Sequence, residues 1–275
     1  MNKEIYQSPY RAYRLDTINR ENEQKIQIII EETDLLITVS NAVKKQDIID
    51  FCSKEIREIR NILKFWINLY PAVKDSLDPL PTPNNAPLFL AAMCEAGQFA
   101  HVGPFAGVAG TIAQYIATKI HCYLKEKDIC PDIIVENGGD IYAFSSKERY
   151  IGIMANPEEK CMLGLKIAKE QFPLAVCSSS ATIGHSLSFG QGDLALILAK
   201  NGSLADTLAT RYGNLLRSKG DINPILTQAK QDYHIKMTDN PYLEKTEKSG
   251  LMGVFLQIDK NIGAWGEIEL TAIHS

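Results

Sequence analysis

Four short stretches of this sequence gather residue types that can do chemistry. The first is "VENGGDIY" (135–142), where Glu136, Asn137, Gly138, Gly139 and Asp140 stand between two apolar runs. A Gly-Gly pair between strands suits a tight hairpin turn, which needs positive φ twice. Two carboxylates beside bare backbone exceed what a turn requires and can hold a cation or ribose hydroxyls. The second is "CSSSATIGHS" (177–186), with Cys177, Ser179, Ser180, Thr182 and His185 in one span. Its hydroxyls can donate to phosphate, and His185 can carry a proton near neutral pH. Cys177 is a nucleophile if His185 lowers its pKa. A polar loop that satisfies its own backbone is the alternative.

The third stretch is "VGPFAGVAG" (102–110), in which Gly103, Gly107 and Gly110 run into a helix. Free N–H groups and the positive end of the helix dipole suit phosphate or carboxylate there. It is neither a Walker loop nor a G-x-G-x-x-G fingerprint. Small residues that let the helix pack closely are the other reading. The fourth is "SLADTLAT" (203–210), where Asp206 and Thr210 fall on one helix face. Hard oxygens of that kind suit Mg²⁺, which takes one or two protein carboxylates and completes its shell with water and phosphate. Ser203 and Asp206 also fit a capping-box-like S-x-x-D pattern.

The elements around these stretches follow from periodicity. "IQIIIEETDLLITV" (26–39) predicts two β runs joined at Glu31–Asp34. Apolar residues at Ile49, Cys52, Ile56, Ile59, Leu63 and Trp66 predict an amphipathic helix over 46–70. "PLPTPNNAP" (79–87) is a rigid proline-rich connector, followed by a short helix over about 87–98. A long helix follows the glycine-rich start, then strands at about 132–136, 141–145, 150–154 and 163–168. An apolar strand at 194–199 precedes the helix that carries Asp206, and 220–249 is a polar insertion of helix and loop. Two final strands, "LMGVFLQI" (251–258) and "WGEIELTAI" (265–273), close the pattern. Several strands are hairpin-linked, so the class is α+β rather than a doubly wound parallel sheet. "AGTIA" (109–113) and "ADTLA" (205–209) echo each other, each at a helix start, which permits an internal duplication.

The 275 residues suffice for one domain that buries about three-quarters of its unfolded surface. A net charge of −4 with no run of lysine and arginine argues against nucleic acid as a partner. No stretch approaches the ~20 apolar residues that span a bilayer. The polar amino terminus has no apolar signal core, which predicts a cytoplasmic protein. The six cysteines form no C-x-x-C pair, so reduced thiols are expected, and paired zinc-ligand spacing is absent.

The order of the four stretches resembles the ApbE-like superfamily of FAD:protein FMN transferases, in a shorter cytoplasmic branch. The stretches that carry the likeness are "EETDL", "MCEAGQFAHVGPFAGVAGTIAQ", "VENGGDIY", "GHSLSFGQGD", "LADTLATRYGN" and "GAWGEIEL". The resemblance implies an α+β fold with two similar α/β halves meeting at a central cleft. It implies FAD as a phosphate-bearing ligand, a protein acceptor, and Mg²⁺ held by Asp206 and Thr210 with a backbone carbonyl near Gly107. Gly138, Gly139 and Asp140 would line the pocket. The sequence departs from the transferases in two places: Gly110 stands where their first glycine-rich helix carries lysine, and only His185 remains of their His-x-x-Asp-Pro stretch. The branch also implies two alternatives. One is sulfide assimilation toward homocysteine through Cys177 beside His185; the other is a binding or assembly protein without catalysis.

Overall fold

The structure, a computed structural model, describes residues 22–129, 132–153, 162–180, 194–235 and 249–273. Strands β1 (Glu23–Ile30) and β2 (Thr33–Ser40) form the first hairpin, and helix α1 (Lys45–Leu69) packs against it. The proline-rich connector leads to α2 (Leu88–Ala100); a 3₁₀ turn at Pro104–Gly107 opens into α3 (Val108–Lys125). Four strands follow: β3 (Ile133–Asn137), β4 (Asp140–Phe144), β5 (Arg149–Ile153) and β6 (Met162–Ile167). Then come β7 (Leu174–Ser179), β8 (Leu194–Ala199), α4 (Gly202–Leu215) and α5 (Ile222–His234). Strands β9 (Leu251–Ile258), β10 (Asn261–Gly266) and β11 (Glu269–Ile273) end the described chain. Among the described residues, no helix is long and apolar enough to cross a membrane.

Eight strands form one antiparallel sheet in the order β1-β2-β3-β4-β7-β8-β9-β10, and β11-β6-β5 form a small second sheet. Burial explains the sequence patterns. On β3, Ile133 and Val135 are buried against the helices while Ile134 and Glu136 alternate to the other face. In β8 both faces are buried: Ala195, Ile197 and Ala199 join the helix-side core, and Leu194, Leu196 and Leu198 join a second core. That second core includes Leu165 and Ile167 of β6. A strand sandwiched on both faces reads as a continuous apolar run, as "LALILA" does.

Two expectations change. The polar-loop alternative for 177–186 changes at its start: Cys177–Ser179 belong to strand β7, which pairs with β4 and β8 in mid-sheet. The expected single strand over 265–273 is two strands in different sheets: β10 pairs with β9, and β11 pairs with β6. The chain turns at Gly266, at φ +81°, where a Cβ would stand 2.2 Å from the Met252 carbonyl oxygen.

The α+β class holds. Helix α3 covers β3 and β4, and α4 covers β7 and β8. The two units meet where α3 and α4 cross, and that crossing positions the site.

Candidate functional site

The crossing depends on two glycines. A Cβ on Gly110 would lie 2.3 Å from the Gly202 carbonyl oxygen, and one on Gly202 would lie 2.2 Å from the Gly110 carbonyl oxygen. Backbone therefore meets backbone, and no side chain fits between. Gly107 serves the same contact, because its Cβ would reach Thr207 Cγ2 at 2.9 Å and the Ser203 carbonyl oxygen at 3.0 Å. Gly103 is held elsewhere: its Cβ would strike the Ser76 carbonyl oxygen at 1.8 Å.

With the helices this close, their amino-terminal ends exchange caps. The Gly110 N–H donates to Asp206 Oδ2 at 2.9 Å. In return, the Gly202 N–H at the start of α4 donates to Gln114 Oε1 of α3 at 2.7 Å. Asn201 is the true N-cap of α4, accepting from the Leu204 N–H at 2.8 Å, so the S-x-x-D capping box expected from Ser203 and Asp206 is not what starts this helix. Asp206 serves the other helix. The Thr111 hydroxyl bonds the Gly107 carbonyl and sits 2.6 Å from the Ser203 hydroxyl.

The Gly-Gly turn is a wall of the same region. Gly138 and Gly139 take φ of +73° and +107°, as the tight turn between β3 and β4 requires. Asn137 and Asp140 face each other across the turn and are both buried. The Asn137 side-chain amide donates to the Ala109 carbonyl oxygen at 3.1 Å, tying the turn to the start of α3. The Ser178 N–H donates to Asp140 Oδ1 at 3.2 Å. Asp140 and Asp206 thus belong to one buried cluster. Burial, then the negative charge of Asp140, pushes the Asp206 carboxyl well above its usual range, against the pull of the Gly110 and Ala109 N–H groups.

Cys177 of β7 lies in the same cluster, fully buried, with Sγ 3.8 Å from the Gly202 carbonyl oxygen. Burial and the carboxylates of Asp140 and Asp206 push its thiol well up. A thiolate nucleophile is disfavoured there, and the side chain packs as a small hydrophobe.

The other expected residues divide. Ser179 faces α4, with Oγ 3.1 Å from where a Cβ on Gly213 would stand. Ser180 is half-buried just beyond β7. Thr210 is half-buried one turn beyond Asp206 on α4. Glu136 alternates to the face opposite Asn137 and is not brought to the cluster. Thr182 and His185 lie outside the described residues. As for the expected anion loop, Gly107 and Gly110 are consumed by the crossing, Gly103 packs against Ser76, and the Gly110 donor is taken by Asp206. The start of α3 therefore presents a carboxylate rather than a free row of N–H groups. Sequence reasoning missed Gln114 and Asn201, although a lone amide inside the apolar run "GTIAQYIA" was a visible signal.

Among the described residues, no group of three or more His, Cys, Asp or Glu side chains gathers as a metal centre. Two buried carboxylates are a donor set that Mg²⁺ could use, since it relies on few protein ligands and on phosphate oxygens of its ligand.

Comparison with known proteins agrees with this architecture. A UPF0280 protein of Methanococcus vannielii is 34% identical over 243 residues, covering 82% of this chain and 95% of the relative. A UPF0280 protein of Methanocaldococcus jannaschii is 32% identical over 241 residues, covering 86% and 93%. Among solved structures, the ApbE protein of Thermotoga maritima superposes with a TM-score of 0.51 at 11% identity, covering 85% of this chain and 94% of that one. The flavinyl transferase ApbE of Pseudomonas stutzeri gives 0.51 at 8% identity, covering 90% and 96%. A family model described as "AbpE bacteria" matches residues 17–232. The chain belongs to the AbpE bacteria family, and its fold is that of the ApbE proteins.

Proposed function

We propose that the α3–α4 crossing is a binding site for a diphosphate-bearing ligand, FAD being the candidate, taken up as its Mg²⁺ complex in a flavin- or nucleotide-transferase type of chemistry. The observation that carries this reading is the burial of Asp140 and Asp206 in one cluster, where each charge raises the cost of the other. Such a pair favours a divalent cation. Asp206 and Asp140 would hold the ion, with the Thr210 hydroxyl one turn along α4. The shared fold supports flavin as the ligand, since the Vibrio cholerae and Pseudomonas stutzeri proteins that have it are flavin transferases.

The closed crossing supports dependence on the metal. No side chain fits at position 110, so a lysine like the transferases' cannot neutralise phosphate from α3. When bound, Mg²⁺ would supply that neutralisation and stabilise a phosphate leaving group. The protein's own part is orientation. Gly110 and Ala109 hold Asp206, Ser178 holds Asp140, and Asn137 fixes the Gly-Gly turn against α3. The same residues keep the pair in a buried setting, where their attraction for a cation is strong.

Thermal unfolding with FAD, FMN and ADP, each with and without Mg²⁺, tests the proposal. A ligand at 100 times its dissociation constant should stabilise the fold by about 2.7 kcal/mol. The expected outcome is a shift with FAD that needs Mg²⁺ and is lost in Asp140→Asn and Asp206→Asn. No shift with any of the three, or one indifferent to Mg²⁺, would overturn it.

A further inference from the structure

We infer that Gln114 is a positioning residue that sets where the Asp206 carboxylate stands; this rests on the cation-binding reading above. Gln114 is buried at 8% exposure in α3, one turn beyond Gly110. Its Oε1 accepts from the Gly202 N–H at 2.7 Å and from the Asn201 side-chain amide at 3.2 Å. Asn201 in turn accepts from the Leu204 N–H at 2.8 Å. One α3 side chain therefore fixes both the first residue and the N-cap of α4.

The bond from Gly110 to Asp206 runs the other way, from α3 backbone to an α4 side chain. Together these bonds join the helices at two points separated along both axes. Packing of α4 on β7 and β8 and the Thr111–Ser203 hydroxyl contact restrain α4 as a body. The opposed pair of bonds sets its rotation finely at the crossing, where backbone meets backbone. Asp206 projects from α4 and Asp140 from the sheet, so the rotation of α4 decides how the two carboxylates converge. Without its acceptor, the Gly202 N–H becomes an unmet donor at a helix start, and α4 gains a reason to shift. Partners that orient metal-binding side chains typically cost about 10–100-fold in metal affinity when removed.

The test uses the full chain and Mn²⁺ alone, with affinity read by electron paramagnetic resonance and the metal-free unfolding midpoint measured separately. Gln114→Met keeps length and loses the acceptor; Gln114→Glu keeps an acceptor for both donors. We expect Gln114→Met to weaken Mn²⁺ binding about 10–100-fold, and Gln114→Glu to restore affinity to within a few-fold. A purely structural role would lower the metal-free midpoint of Gln114→Met and leave Mn²⁺ affinity of the folded protein unchanged; that result overturns the inference. So does equal weakening in the two variants. If Gln114→Met fails to fold, Asn201→Ser removes one of the two bonds while keeping a good N-cap. Its Mn²⁺ affinity should then fall by a smaller factor, and unchanged affinity overturns the inference. No Mn²⁺ binding by the wild type overturns this inference, whereas the reading above falls only if FAD gives no Mg²⁺-dependent shift.

Discussion

The starts of α3 and α4 are built alike and used differently. Both carry a threonine whose hydroxyl bonds back to the fourth residue before it: Thr111 to the Gly107 carbonyl, Thr207 to the Ser203 carbonyl. The preceding position is Gly110 in α3 and Asp206 in α4. One helix gives up its side chain so that the other can approach, and the other supplies the carboxylate that caps the first. A repeated local pattern therefore yields one asymmetric site, with the bare backbone on one side and the charge on the other.

The largest effect should come from filling the bare side. In an exposed helix interior, Gly→Ala is worth about 1 kcal/mol of stabilisation. At Gly110 and Gly202 the sign should reverse, because the new methyl meets a backbone carbonyl at 2.3 Å and 2.2 Å. Overpacking of that kind costs about 1–3 kcal/mol and occasionally more. Gly107→Ala should cost less, since the nearest atom it meets is the Thr207 side-chain methyl at 2.9 Å. Urea denaturation of the three variants checks the ranking. Equal or stabilising values at Gly110 and Gly202 would show that the crossing is looser than described.

A smaller effect should come from the cap of α4. Asn201→Ala removes the acceptor for the Leu204 N–H and a donor to Gln114. Loss of an N-cap of this type costs about 1 kcal/mol, read as a lower urea midpoint. An unchanged midpoint would mean that Gln114 alone fixes the start of α4, without help from Asn201.

Legibility in the sequence followed the range of the interactions. The helix at Lys45–Leu69 was visible because Cys52, Ile56, Ile59 and Leu63 recur on one face and are all buried. Strands β8 and β9 were visible as apolar runs because both their faces are covered. β7 was not, because its buried residues Leu174–Cys177 run straight into the half-buried serines Ser178 and Ser179, which read as a loop until the neighbouring strands are known. Glu136 is a different kind of miss. The period-2 alternation of β3 places it opposite Asn137, and that signal was present in the sequence. The role of Asp206 as a cap for α3 could not be read locally, since its partner Gly110 is 96 residues away. Its spacing to Thr210 marked this helix as a candidate, and its hydrogen-bond partner came only with the fold.

The charged side of the site can be set against itself, with and without its charge. The Asp206 carboxyl is pushed above its unfolded value by burial and by Asp140. The folded protein therefore holds that proton more tightly than the unfolded chain, whose aspartate titrates near about 3.9. Stability from this group is fully present below the unfolded value. It is lost as pH rises through the folded one, because the native state then gives up a proton it preferred to keep. Asp206→Asn cannot ionise, and its side-chain oxygen can still accept from the Gly110 N–H. Without metal, the variant should match the wild type at about pH 4 and become the more stable of the two as pH rises toward neutrality. A series of unfolding midpoints across that range, taken in a chelator, measures how far the two curves diverge. Parallel curves would mean that Asp206 bears no penalty when ionised, and the pressure toward a cation would disappear with it. Diverging curves, together with loss of the Mg²⁺-dependent shift in the same variant, would mean that the carboxylate is kept at the expense of stability for what it binds.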